Sequence, residues 1–204
     1  KQCCISNTMY GSGNGDALKD ARLLNAISSN DPDVIKFLMV MALCNTVVPV
    51  KSNDGTVSYK AQSQDEEALV TAASNLNMML ISKDSSTAEI CFNGSKFRYE
   101  LLDILEFTSD RKRMSVAVKD RQTGKIHLLS KGADEAILPR AYPGNGTTMK
   151  SALCHHSSNV EFSQDAWILY ALSDKFAFYN ILRCLLLNLF IMGYQTYVLL
   201  HKRA

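Results

Sequence analysis

Asn93-Gly94 is the feature that most constrains how this chain folds. The pair stands between two stretches of strand-forming residues, 89–92 and 95–106. Asn-Gly supplies the two positive-φ positions that a tight hairpin turn needs, so the two stretches are expected to pair antiparallel. The strand pattern then continues. Met114, Val116 and Val118 alternate with Ser115, Ala117 and Lys119, the period-two signature of a half-buried strand. DRQTGK at 120–125 turns the chain, and IHLLSK at 126–131 returns it. MMLIS at 78–82 is a further strand, and SNDG at 52–55 joins two short ones at 46–50 and 57–61.

Helices are announced by their starts. Asp31 offers an N-cap, Pro32 a first helical position and Asp33 a favourable first-turn charge, ahead of the apolar run VIKFLMVMALCN. Ser63 and Glu66 have capping-box spacing. The helix they open places Ala68, Leu69, Ala72, Ala73 and Leu76 on one face. Asp65, Glu66 and Glu67 in its first turn suit the helix dipole. KGADEAI at 131–137 lets another helix begin. The expected fold class is α+β, an antiparallel sheet with helices packed on it. Three regions follow: a linker or mobile loop over 1–30, the folded domain over 31–140, and a divergent loop with a hydrophobic tail over 141–204.

Composition supports a core. The chain has 204 residues, 47% hydrophobic and 21% charged, enough to bury an ordinary domain. A net charge of +2 gives no argument for a nucleic-acid partner. Six cysteines at irregular spacing, none in a C-x-x-C pair, fit a reduced compartment better than a disulfide framework. The sequons at Asn93 and Asn145 coincide with Asn-Gly turns and are read as turn chemistry. KQCCISNTMYG lacks the apolar core of a signal peptide. With no initiator Met, the chain is expected to be a piece of a longer one. In the tail, ILRCLLLNLFIMGYQTYVLL at 181–200 is long enough to span a membrane. Its Asn188, Gln195 and other polar positions leave a buried helix or an aggregation-prone tail as alternatives.

Several catalytic arrangements are missing. There is no G-x-S-x-G elbow, no H-E-x-x-H and no Walker A loop. GSGNG at 11–15 lacks phosphate-loop spacing, and no strand is expected before it. Cys154-His155-His156 stands without a second cluster, and adjacent residues seldom converge on one metal. Three other segments carry more: SQDEEALV at 63–70, EFTSDRKRMSV at 106–116 and SKGADEAI at 130–137. Singly they are a capped surface helix, a strand with a charged turn and a strand-to-helix turn.

Together, in this order, they resemble the nucleotide-binding domain of P-type ATPases, in the form of the type-IV class, the phospholipid flippases. VMALCNTVVPV matches that class's upstream helix, and the wording looks most like the aminophospholipid ATPases of plants. The likeness covers about residues 16–140. It implies that ATP is the ligand, with nucleotide contacts at Glu66, Phe107, Ser109, Lys112 and Lys131, and with Arg113 and Met114 as neighbours. The chemistry agrees. An exposed aromatic such as Phe107 can stack on adenine. Glu66 can accept from its amino group. Lys112 and Arg113 can attract phosphate by charge. The Lys131 stem can line a pocket and present its ammonium. Gly132 permits close approach.

The resemblance also sets limits. The family's phosphorylated Asp-Lys-Thr-Gly-Thr motif, its Mg²⁺-binding aspartates and its membrane helices are not in this sequence. No residue here is catalytic or a metal ligand. The chain is expected to bind nucleotide at best and hydrolyse none. In the parent, Mg²⁺ would accompany ATP, phospholipid would be the substrate, and phosphorylation and membrane domains with an accessory subunit would be the partners. The domain would be the cytosolic part of an integral membrane protein. The family also has a Gly-Leu-Arg-Thr-Leu strand after KGAD. DAWILYALSDKF stands there instead, as an alternative exon, a frameshift or a mis-joined gene would leave it. An unpaired sheet edge is expected as a result. Two other readings stay open: a non-catalytic α+β interaction module, and a membrane-tethered truncated product.

Overall fold

The hairpin at Asn93-Gly94 forms. Asn93 has φ 47° and Gly94 φ 81°, and β6 (Thr87–Phe92) pairs antiparallel with β7 (Ser95–Thr108), Phe92 opposite Ser95. The computed structural model describes residues 3–6, 8–11, 18, 20–137 and 168–173. Around this hairpin β5 (Met78–Lys83), β8 (Arg113–Asp120), β9 (Ile126–Gly132) and β10 (Ile168–Ser173) complete one antiparallel sheet. Its strand order is β10-β9-β8-β7-β6-β5. A separate hairpin joins β3 (Val48–Lys51) to β4 (Val57–Lys60), turning at Gly55 with φ 84°. The α+β class read from the pattern is the class observed.

One sheet face carries the main core. Met78, Leu80, Ile90, Phe92, Leu101, Met114, Val116, Val118 and Leu129 are buried in one cluster with α1 (Ala21–Ser28), α2 (Pro32–Leu43) and α3 (Gln64–Asn75). Helix α2 starts where the sequence says. Asp31 accepts from the Asp33 amide at 3.0 Å and the Val34 amide at 3.1 Å, with Pro32 at the first helical position. Its last five residues, Met39 to Leu43, are all buried. Asp31→Ala removes both cap bonds and should cost about 1 kcal/mol, read as a lower urea midpoint with an unchanged slope.

Four expectations need correction. Residues 1–30, read as linker, carry the hairpin β1 (Cys3–Ile5) and β2 (Thr8–Tyr10) and helix α1. Asp20 caps α1 by accepting from the Arg22 amide at 2.9 Å, and Leu23 and Ile27 enter the core. Only two apolar positions at i, i+4 spacing announced that helix. Ser63 makes no side-chain cap bond, and the Glu66 carboxylate, the other half of the expected box, is bonded to Thr46 and Lys131 instead. Ala68 is exposed and Val70 is buried, so the inward stripe of α3 runs through 66, 70, 73 and 76. Finally, the sheet edge at β9 is covered. β10 pairs with it antiparallel, Ile168 opposite Gly132 and Ser173 opposite His127. A backbone ladder needs strand-compatible residues, which ILYALS supplies without following the family wording.

Among the described residues, no helix is long and apolar enough to cross a membrane. The run at 181–200, Asn145 and the Cys154-His155-His156 cluster lie outside the described residues.

Candidate functional site

The stripe of α3 that faces the sheet begins with an acid. Glu66 stands one helical turn before Val70 and shares its side of the helix, while Asp65 and Glu67 point to solvent. Across from it, Lys131 lies next to last in β9, opposite Met114 of β8. Cross-strand partners share a face, so Lys131 emerges on the core side, under α3. The two side chains meet. Lys131 Nζ donates to Glu66 Oε1 at 2.7 Å, with the side chains only 6% and 13% exposed. The other carboxylate oxygen, Oε2, accepts from the Thr46 amide at 3.0 Å and the Thr46 hydroxyl at 2.6 Å. Burial pushes the Glu66 pKa up, but the Lys131 and Thr46 hydrogen bonds outweigh it and hold the carboxyl below its ordinary range.

Phe107 reaches the same face through a sheet irregularity. The β7–β8 register shifts between Leu105 and Thr108, and Thr108 pairs with Arg113. Arg113 in turn pairs with Gly132. Thr108 therefore lies on the face away from Met114, and Phe107, one residue earlier, turns to the face of Met114 and Lys131. Phe107 as a whole is 48% exposed.

Ser109 and Lys112, both exposed, belong to the turn between β7 and β8. That turn is pinned to the site by backbone. The Lys112 amide donates to Thr108 O at 2.8 Å, and Lys112 O accepts from the Ala133 amide at 3.0 Å. Lys112 holds φ at 49°, uncommon for a residue with a side chain and fixed here by those two bonds. Gly132 makes the approach possible. A Cβ at Gly132 would stand 2.4 Å from Lys112 O and 2.6 Å from Arg113 Cβ. The close approach expected at Gly132 is that of a neighbouring strand's backbone. Arg113 donates to Arg111 O at 3.2 Å, and Met114 is core.

Sequence reasoning missed the support beneath Glu66. By its pattern Thr46 only opens a short strand. Cys44, Asn45 and Thr46 follow directly on α2, and each is fixed. The Cys44 thiol lies 3.5 Å from Leu129 O and 3.7 Å from Met114 O, and burial pushes its pKa up to about 12, so it is inert. Asn45, fully buried, donates to Ala42 O at 2.8 Å and to Met41 O at 3.3 Å, and accepts from the Val47 amide at 3.1 Å. Lys83, at the end of β5, donates to Asn45 O and to Asn45 Oδ1, the latter at 3.2 Å. The available signal was a polar Asn-Thr pair closing an otherwise apolar helix.

Comparison with known proteins gives a consistent picture. The family described as P-type ATPase, cytoplasmic domain N, matches residues 33–143. The chain is similar to Phospholipid-transporting ATPase 2 of Arabidopsis thaliana, 64% identical over 158 residues, which are 77% of this chain and 14% of that protein. It is similar to Phospholipid-transporting ATPase ID of Mus musculus, 41% identical over 136 residues, 67% of this chain and 11% of that protein. Phospholipid-transporting ATPase tat-1 of Caenorhabditis elegans is 36% identical over 147 residues, 71% of this chain and 13% of that protein. The chain thus spans 11–14% of the length of these curated relatives.

Proposed function

Because this chain belongs to the P-type ATPases and corresponds to their cytoplasmic domain N, we propose that it is the ATP-binding part of a phospholipid-transporting ATPase. The observation that carries this reading is the Glu66–Lys131 pair, clamped by Thr46 on the sheet face to which Phe107 turns. Such a face suits adenine. The exposed Phe107 ring offers a stacking surface. Among the described residues Glu66 accepts from three donors, against about four that a carboxylate can take, leaving room for an exocyclic amine. Lys131 brings three donors, one of them committed to Glu66. Ser109 and Lys112 sit on the turn anchored to Ala133; in this reading their hydroxyl and charge meet the polar and anionic end of the ligand.

In this proposal the chain binds and orients nucleotide and breaks no bond. Phosphoryl transfer needs a positioned acceptor and Mg²⁺, which the parent's phosphorylation domain would supply. Phospholipid as cargo, an accessory subunit as partner and a cytosolic position beside a membrane belong to that parent. The interaction-module alternative differs in one respect: a merely basic turn would not distinguish ATP from another polyanion.

Phe107→Ala in the full chain separates the two. Loss of stacking worth about 1 kcal/mol should weaken ATP about fivefold by isothermal titration. Tripolyphosphate should bind as before, and stability should change by less than about 0.5 kcal/mol because the ring is exposed. Equal competition by ATP and tripolyphosphate, with Phe107 indifferent, would favour the module.

A further inference from the structure

We infer that Lys83 is a positioning residue for this pocket: it holds the Asn45-Thr46 turn that in turn holds Glu66, and its ammonium charge sets how firmly the pocket grips nucleotide. No motif in the sequence marks Lys83. It ends β5, 38 residues from Asn45 along the chain.

The path runs through consecutive contacts. Helix α2 ends at Leu43, and its last carbonyls lack helical partners, as at every helix C-terminus. The Asn45 side-chain amide answers two of them, Met41 O and Ala42 O. Asn45 then needs its own oxygens satisfied in a fully buried position. Lys83 Nζ does this, donating to the backbone oxygen and the side-chain oxygen together. A cation is also favoured at this end of the α2 dipole. With Asn45 fixed, the next residue is fixed. Thr46 presents its amide and hydroxyl to one carboxylate oxygen of Glu66, and Lys131 takes the other. Removing Lys83 leaves the buried Asn45 backbone oxygen without its described donor and the side-chain oxygen with the Val47 amide alone, and it loosens the turn that aims Thr46.

The charged groups around Lys83 make its charge conditional. Burial pulls its pKa down to about 8, Cys44 of the α2 cap and Glu66 of α3 raise it, and Lys131 of β9 lowers it. Two nearby acids are committed elsewhere. Asp84 accepts from Ser86 and Thr87, and Glu89 of β6 pairs with Lys96 and Arg98. The folded value lies below the ordinary 10.5, so the folded chain releases this proton before the unfolded chain does. Stability contributed by the group therefore rises with pH between about 8 and 10.5. The grip on Asn45 moves the other way, since a neutral amine makes weaker hydrogen bonds than an ammonium.

The functional half of this inference rests on the nucleotide-binding proposal; the structural half does not, and the experiment keeps them apart. In the full chain without nucleotide, the Thr46 methyl resonance is followed from pH 6.5 to 9.5, in wild type, Lys83→Met and Lys83→Arg. Wild type should titrate with a midpoint near pH 8. Lys83→Arg, which stays charged, should hold the low-pH position throughout, and Lys83→Met should show no titration. ATP affinity in wild type should fall about three- to tenfold over the same range, the size expected for coupled residues, and stay flat in Lys83→Arg. A Thr46 resonance that ignores pH in wild type overturns the inference, as does ATP binding with the same pH profile in wild type and Lys83→Arg. If Thr46 titrates as expected but ATP binds at no pH, the nucleotide proposal fails and the positioning of Thr46 stands. Should Lys83→Met not fold, wild type and Lys83→Arg decide the matter alone.

Discussion

Gly132→Ala should destabilise the chain by about 3 kcal/mol, the upper part of the range for overpacking a rigid site. Space is the reason. Gly132 is not among the glycines with positive φ, and its backbone suits any residue. The added methyl would meet Lys112 O at 2.4 Å and the Arg113 backbone at 2.7 Å. Neither is the flexible end of a side chain, so the strands themselves must part. The Ala133–Lys112 backbone bond that anchors the charged turn would weaken with them. Urea denaturation should show a lower midpoint, and ATP should bind more weakly because Ser109 and Lys112 ride on that turn. Gly94→Ala makes a control of different origin. Nothing lies within 4 Å of its Cβ, but φ is +81°, so the cost is local backbone strain of about 1–2 kcal/mol and the pocket is untouched. An unchanged midpoint for Gly132→Ala would contradict the close strand approach described here.

Lys131→Met should cost both stability and binding. It leaves the Glu66 carboxylate, 13% exposed, with Thr46 as its remaining described partner. Breaking a fully buried pair costs about 3–5 kcal/mol; at this partly open site about 2 kcal/mol is expected by the same reasoning. Adding Glu66→Gln should restore part of the loss, because no uncompensated charge then remains, and the double-mutant cycle should report coupling. ATP affinity should fall at least tenfold in Lys131→Met, the loss expected when a charge-assisted contact worth about 1.5–3 kcal/mol is removed. The pH dependence has a defined sign. Glu66 is held below its ordinary value of 4.5. Its ionised form stabilises the fold fully above that unfolded value, and the contribution disappears as pH falls through the lower folded value. Wild type should therefore lose stability below pH 4.5 more steeply than Glu66→Gln.

What could be read in advance was local. Asn93-Gly94, the Asp31-Pro32 start and the strand carrying Met114, Val116 and Val118 each encode their structure in neighbouring residues, and each formed; the strand is not half-buried as expected, because Ser115 and Ala117 on its other face are only 2% and 3% exposed. What escaped was set by distant contacts. The Ser63–Glu66 spacing predicts a capping box, but a carboxylate has one orientation, and the better partners were Thr46 and Lys131, 20 and 65 residues away. The family resemblance named Glu66, Phe107, Ser109, Lys112 and Lys131; the structure joins Glu66 to Lys131 directly, while Phe107 falls in the register irregularity between Leu105 and Thr108. Lys83 was invisible because a lysine ending a strand is usually solvated, and nothing local tells that its partner is a helix-terminal carbonyl. The covered edge at β9 escaped because the segment departs from the family wording, whereas strand pairing is a matter of backbone.

The most direct test of the proposed nucleotide pocket is an ATP titration of the isotopically labelled full chain, followed by amide chemical shifts. The account predicts saturable changes at Thr46, Phe107, Lys112 and Lys131, absent with tripolyphosphate at Phe107, with the Asn93-Gly94 end of the sheet unaffected. Saturating ATP that leaves Phe107 and Lys131 unmoved would contradict it.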